Sequence, residues 1–263
     1  AVSRGEGHDE QLTQELANDA RREAKRNGNM PLLFYDERMR QEALLHQELN
    51  GRLETALKDG ELVPWFQAKV DMRTGAIIGS EALARWNHPV HGLLMPGSFI
   101  PLFERNGLVM DIDLHLFEQV CKTMQSWRLR NLPLHTVSCN FSRLHFDRPE
   151  FPGQLAEIAG RYSIPHEMLE VEITESAIMK NPEAAWMRLI QLKQYGFKTA
   201  IDDFGSGYSS LGLVQMLNAD VIKIDRSFVQ RDLPGQRAQI VLSSIIRLAL
   251  ELEMAVICEG VET

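Results

Sequence analysis

The pattern of apolar and polar positions changes at about residue 62. Before it the chain is polar. Residues 8–29, HDEQLTQELANDARREAKRNGN, are rich in Ala, Glu, Arg and Gln and stop at an Asn-Gly-Asn turn signal, which predicts a helix. LLFY at 32–35 is a short strand-like run. Residues 36–59 read as helical again, with Leu45, Leu49 and Leu53 four apart on one stripe and charges on the other face. Such a helix links two units or pairs with another helix, or else it is a solvated helix packed on its own domain.

From Leu62 onward, strand-length apolar runs alternate with helix-length ones. The strand-like runs are 63–72, 76–86, 135–142, 169–176, 198–205, 220–228 and 255–262. The helical stretches are 110–131, 150–163, 182–195, 210–218 and 234–253. Regular alternation predicts parallel strands covered by helices, an α/β fold. The first pair differs. Its connection, VDMRTGA with Thr74-Gly75 at the tip, is too short for a crossover and predicts an antiparallel hairpin. Seven strands in about 200 residues suggest a barrel or a doubly wound sheet. No GxGxxG or GxxxxGK[ST] follows any strand, which lowers the dinucleotide and P-loop options.

Composition adds constraints. A chain of 263 residues, 44% hydrophobic, holds one large domain with an appendage or two small ones around an ordinary core. No apolar run reaches the ~18 residues that span a bilayer, and no signal peptide opens the chain. The visible segment is therefore expected to be soluble and cytoplasmic, with any membrane anchor lying outside it. A net charge of −8 argues against binding duplex nucleic acid, although divalent cations can carry a phosphorylated ligand to an acidic protein. Cys121, Cys139 and Cys258 form no CxxC pair, so neither a disulfide framework nor a zinc cluster is expected. They suit a reducing compartment and read as small buried hydrophobes.

The informative feature is where the acids fall. Glu81 follows AIIGS; Glu172 and Glu175 lie in LEVEITES; Asp202 and Asp203 follow KTAI; Asp225 follows VIKI; Glu259 and Glu262 close AVICEGVE. Five strands thus carry acids late, where β/α barrels place their chemistry. Converging carboxylates repel and lose hydration unless cations neutralise them. Oxygen donors without paired His or Cys point to hard ions, Mg²⁺ or Mn²⁺. Asn140, late in VSCNFS, adds a neutral oxygen. Lys223 on the same set of strands either orients the attacking water, neutralises a phosphate, or simply pairs with an acid. The residues alone suggest a metal-dependent phosphoester hydrolase, with a single-metal enolising or lyase barrel as competitor.

Several strings resemble one family closely. SEALARW contains Glu81-Ala82-Leu83 and resembles the signature of the EAL family of cyclic-di-GMP phosphodiesterases. EVEITES matches its ExTE element, DDFGSGYSS at 202–210 its DDFG[TS]GYSS loop, and VIKIDRSF and CEGVET its later strands, all in order from Leu62 to the last residue. The resemblance implies a TIM-like β/α barrel with an antiparallel first strand. It also implies metal-dependent hydrolysis of cyclic-di-GMP to linear pGpG. The alternative function is a sensor module that binds cyclic-di-GMP without cutting it. Glu81, Asn140, Glu172 and Asp202 would ligate a first ion, and Asp202 would bridge to a second held by Asp203 and Glu259. Lys223 would position the attacking water and Glu259 would serve as general base. Glu175 would anchor the 202–210 loop and couple metal binding to a homodimer through this domain. Gln67, Leu83 and Arg85 resemble ligand-contacting positions, Arg85 through a phosphate oxygen, with Asp225 and Glu262 nearby.

Departures from the family pattern are Ala68, where many relatives have proline, and Cys139, where valine is usual; both read as packing changes. Thr263 falls after the seventh strand, so a last βα unit of about 30 residues is expected beyond it. AVSR, AKRNGN and FYDERM resemble the end of a GGDEF domain. The expected organisation is a GGDEF-like remnant over 1–36, a linker helix over 37–61 and the EAL domain over 62–263. His88 and His91, flanking Pro89 in WNHPVHG, read as loop surface rather than a metal pair. Trp86 is expected to pack, and Met110, Phe117, Met124 and Trp127 to face the core.

Overall fold

The computed structural model describes residues 37–205, 219–226 and 236–260. The chain divides into two compact units, residues 1–59 and 60–263. In the first, α1 (Glu37–Lys58) is the helix expected from the leucine spacing, with Leu49, Leu53 and Ala56 buried. The helix expected over 8–29, the run LLFY and the GGDEF-like remnant lie outside the described residues, as does the stretch 210–218.

The second unit opens with β1 (Leu62–Val70) and β2 (Ile77–His88), an antiparallel hairpin. Its turn forms because Asp71 Oδ1 accepts from the backbone N–H of Arg73 and Thr74, at 2.9 and 2.8 Å, ahead of Gly75 at φ 73°. A short β3 (Gly92–Leu94) pairs back onto β2. There follow α2 (Pro96–Asn106), α3 (Val109–Leu129), β4 (Thr136–Asn140), α4 (Arg143–Phe146), α5 (Phe151–Arg161) and β5 (Leu169–Thr174). Then come α6 (Glu175–Lys180), α7 (Pro182–Gln194), β6 (Lys198–Phe204), β7 (Val221–Ile224), α8 (Gln236–Glu251) and β8 (Ala255–Cys258).

The strand order is β1-β2-β4-β5-β6-β7-β8, and every pair after the first is parallel. Spatial order follows chain order without reversing. A doubly wound sheet reverses at a switch point, so the alternative left open by alternation alone falls to the TIM-like β/α barrel with an antiparallel first strand. β2 and β4 approach so closely that a Cβ at Gly79 would lie 2.8 Å from the Thr136 carbonyl oxygen.

Alternation along the strands separates two environments. Val137, Cys139, Leu169, Val171, Ile173, Ile201 and Ile222 belong to the apolar core. Phe117, Val120, Cys121 and Met124 of α3, Leu155 of α5 and Leu189 of α7 belong to it as well, at helical spacing. Burying each such side chain stabilises the fold by about 1.5–3 kcal/mol. The intervening strand positions carry the polar residues described below.

The structure corrects several expectations. α2 is a helix outside the expected stretches: Pro96 is at its start, where no N–H partner is needed, and Gly107 at φ 81° closes the other end. β7 and β8 stop at Ile224 and Cys258, earlier than their apolar runs. Glu175 is not a strand residue: it begins α6, capped by Thr174, whose Oγ1 accepts from the Ala177 N–H. His88 is not loop surface but the buried end of β2, and its Nδ1 accepts from the Val90 and His91 N–H groups. Cys258 is half-buried while Cys121 and Cys139 are buried. Ala68 is exposed, so no packing change follows from it. Trp86 packs as expected, against Phe99 and Phe103, and donates to Glu61 at 2.9 Å. Of the α3 residues expected in the core, Phe117 and Met124 are buried and Met110 and Trp127 half-buried. No described helix is long and apolar enough to cross a membrane.

Candidate metal centre

Parallel register places the polar ends of neighbouring strands within two residues of one another. Asn140 is level with Glu172, and Thr174 with Asp202. Lys223 of β7, only 1% exposed, lies among them. Its Nζ is 2.7 Å from Glu172 Oε2, 2.9 Å from Glu81 Oε2, 3.0 Å from Glu259 Oε1 and 3.1 Å from Asp202 Oδ2. Glu259 lies just past β8, where its backbone N–H still donates to the Ile224 carbonyl at 3.1 Å. Asn140 Nδ2 donates to Glu81 Oε1 at 2.7 Å.

Asp202 and Asp203 are consecutive, and in a regular strand they would face opposite sides. The β6–β7 register breaks between Ile201 and Phe204, and Asp203 takes the left-handed conformation at φ 54°. Asp tolerates that conformation better than most residues. The irregularity lets both carboxylates reach the same place, and the Asp203 N–H donates to Asp202 Oδ1 at 2.8 Å. Oxygens of Asp202, Asp203 and Glu259 come within 4.8 Å of one another, as do those of Glu81, Glu172 and Asp202.

The acids outnumber the cations beside them. Burial, with Glu172 and Glu259 nearby, pushes Asp202 up to about 7 in spite of Lys223. Burial and Glu172 raise Glu81; burial, Glu259 and Asp225 raise Asp203. Glu172 goes the other way: burial opposes its charge, but Lys223 and Lys69 outweigh that and hold it below the usual carboxylate range. Burial likewise opposes the charge on Lys223, yet Glu172, Glu81 and Asp202 hold its ammonium well above the ordinary lysine value. Two oxygen triads sharing Asp202, with three carboxyls raised by burial and by neighbouring acids, fit hard divalent ions.

The other predicted positions fall around this centre. Glu81, Leu83 and Arg85 share one face of β2, and Gln67 is opposite Glu81 on β1. Arg85 lies over the Trp65 ring at 5.4 Å and donates from Nη1 to the Ala84 carbonyl. Buried Glu175 accepts at Oε2 from the Gly205 N–H at 2.8 Å, at the start of the 202–210 loop. The Asp225 N–H donates to the Phe204 carbonyl at 3.3 Å. Glu262 and residues 206–210 lie outside the described residues.

Sequence reasoning missed Lys69, Ser138 and Glu170. Lys69 Nζ donates to the Ser138 hydroxyl, to Glu170 Oε1 at 2.8 Å and to Glu172 Oε1 at 3.0 Å. The available signal was alternation: Glu170 and Ser138 lie two residues before Glu172 and Asn140, on the same strand face.

Comparison with known proteins adds relatives to this geometry. The sequence profile described as the EAL domain matches residues 50–263. The oxygen sensor protein DosP of Escherichia coli K12 is 34% identical over 239 residues, which cover 91% of this chain and 30% of DosP. The bifunctional diguanylate cyclase/cyclic di-GMP phosphodiesterase MucR of Pseudomonas aeruginosa is 35% identical over 240 residues, 91% of this chain and 35% of MucR. A solved structure described as the PaMucR phosphodiesterase in complex with c-di-GMP matches with a TM-score of 0.76 at 36% identity, over 82% of this chain and 87% of that one. The chain thus spans about a third of the length of these curated relatives.

Proposed function

The chain belongs to the EAL domain family, and on that premise we propose that it hydrolyses cyclic-di-GMP to linear 5′-pGpG with the help of divalent ions. The observation that carries the reading is the pair of oxygen triads joined at Asp202, gathered around Lys223. Relatives named as cyclic di-GMP phosphodiesterases support the substrate.

Glu81, Asn140, Glu172 and Asp202 would hold one Mg²⁺ or Mn²⁺, and Asp202, Asp203 and Glu259 a second. Bound there, such ions supply activation of a water and neutralisation of charge growing on the phosphodiester. Lys223 donates to the attacking water and keeps its oxygen aimed at phosphorus. Glu259, half-exposed at the site, takes the proton the water gives up. The new P–O bond forms as the P–O3′ bond breaks, the departing O3′ takes a proton from solvent while Glu259 returns its own, and a 3′-hydroxyl and a 5′-phosphate remain. Gln67, Leu83 and Arg85 receive the ligand on the hairpin face, Arg85 toward a phosphate oxygen, with Asp225 and Glu262 beside it. Glu175 holds the 202–210 loop through Gly205 and couples it to a homodimer of this domain. Residues 1–36 as the end of a GGDEF-like domain, joined through a 37–61 linker and acting in the cytoplasm, complete the proposal, on the strength of their sequence resemblance.

Incubating the protein with cyclic-di-GMP and Mg²⁺ or Mn²⁺ should yield pGpG by chromatography, and EDTA should stop it. Glu172→Gln should weaken metal binding and abolish most turnover. Tight cyclic-di-GMP binding with no product over hours would replace the enzyme with a sensor.

A further inference from the structure

Beneath the acidic cluster lies a second ionic layer that the mechanism does not use. Lys69 is mostly buried, with its side chain 12% exposed. All three of its N–H bonds are engaged, with Ser138, Glu170 and Glu172. Ser138 and Glu170 are themselves buried, and the Ser138 hydroxyl donates to the same Glu170 oxygen that Lys69 contacts. Glu172, fully buried, divides its two oxygens between two lysines: Oε1 accepts from Lys69 at 3.0 Å and Oε2 from Lys223 at 2.7 Å. The terminal torsion of a glutamate is otherwise soft.

We propose that Lys69 is a positioning residue: seated on Ser138 and Glu170, it commits Glu172 Oε1 downward so that Glu172 offers a single oxygen, Oε2, to a divalent ion. The inference rests on Glu172 being a metal ligand, as read above. Lys69 never touches the substrate. It acts through Glu172, as the partners of metal ligands do when they set ligand orientation and charge. Without it, Glu172 turns freely, and its competing geometries weaken the ion's hold.

The test replaces Lys69 without stranding its partner. In the full chain, Lys69→Met combined with Glu170→Gln removes the lysine and one buried negative charge together. Titration calorimetry with Mn²⁺ should show affinity falling ~10–100-fold. At saturating Mn²⁺, kcat should drop while KM for cyclic-di-GMP moves by less than about twofold. Lys69→Arg, which keeps charge and donors, should recover part of the Mn²⁺ affinity. A residue with a merely structural role would lower the melting temperature and leave Mn²⁺ affinity of the folded protein unchanged. That result overturns the proposal. If the double variant does not fold, Ser138→Ala decides, since it removes one support of the ammonium: unchanged Mn²⁺ affinity there overturns the proposal, and weaker affinity supports it. Wild-type protein that takes up no Mn²⁺ would overturn both this inference and the proposed function. Wild-type uptake matched by the variants would overturn this one alone.

Discussion

Lys223 and Lys69 stand in adjacent layers of one barrel, in opposite states of balance. Lys69 faces Glu170 and shares Glu172, and its ammonium has an acceptor for every N–H. Burial opposes its charge, but Glu172 and Glu170 hold it above the ordinary lysine value, so this ammonium stays charged with every donor engaged. Lys223 faces Glu81, Glu172, Asp202 and Glu259 at once, with Asp203 a further neighbour of the cluster. Burial first, and then the neighbouring carboxylates that one ammonium does not balance, make Asp202, Asp203 and Glu81 keep their protons longer. The lower layer spends its charges on holding geometry. The upper one holds more carboxylates than its lysine balances, an excess that retained protons or added cations relieve.

The largest expected effect comes from Lys223→Ala. Turnover should fall ~10²-fold or more if the lysine positions the water. Mn²⁺ affinity should stay or tighten, because a competing cation leaves the acids. The metal-free protein should lose about 3–5 kcal/mol of stability, as expected when one partner of a buried ion pair is removed. Saturating Mn²⁺ should restore it, since the ion binds the folded state. Melting curves with and without Mn²⁺, beside the pGpG assay, test all three. Full turnover in this variant would remove Lys223 from the mechanism, and weaker Mn²⁺ binding would remove the charge surplus.

A smaller effect separates the layers by pH. Asp202 titrates at about 7 in the folded chain against an ordinary 3.8. Between those values the folded state keeps a proton that the unfolded state has released. Stability of the metal-free protein through this group therefore falls as pH rises from about 4 to 7 and levels above. Divalent ions displace that proton, so Mn²⁺ affinity should climb from pH 5 to 7 and flatten beyond. Asp202→Asn should flatten the pH dependence of the metal-free melting temperature. A slope that survives the substitution would assign the effect to another group.

The smallest effect lies outside both layers. Cys139 is next to Asn140 in sequence but belongs to the apolar core, where burial pushes its thiol well above the usual range. Cys139→Val should shift stability by less than about 1.5 kcal/mol. Mn²⁺ affinity should not change, and a calorimetric difference would mean that the outer core and the site are coupled through β4.

Much of this was legible in the chain itself. Alternating runs from Leu62 onward, with the short Thr74-Gly75 connection, determined the seven longer strands, the antiparallel start and the helices α3, α5, α7 and α8, because hydrophobic period and turn chemistry act locally. Acids such as Glu81 and Glu172, late in those runs, pointed to a candidate site for the same reason: each needed only its own strand to place it. What local pattern could not decide was anything set by neighbours across the sheet. The choice of barrel over doubly wound sheet depended on spatial strand order, which the spacing of runs leaves open. Asp202 and Asp203 meet only because β6 breaks register against β7 and Asp203 turns left-handed. Lys69 has no such local signal, because its partners lie 69, 101 and 103 residues away along the chain. Charge balance is a sum over contacts, and only the folded sheet determines which charges enter the sum.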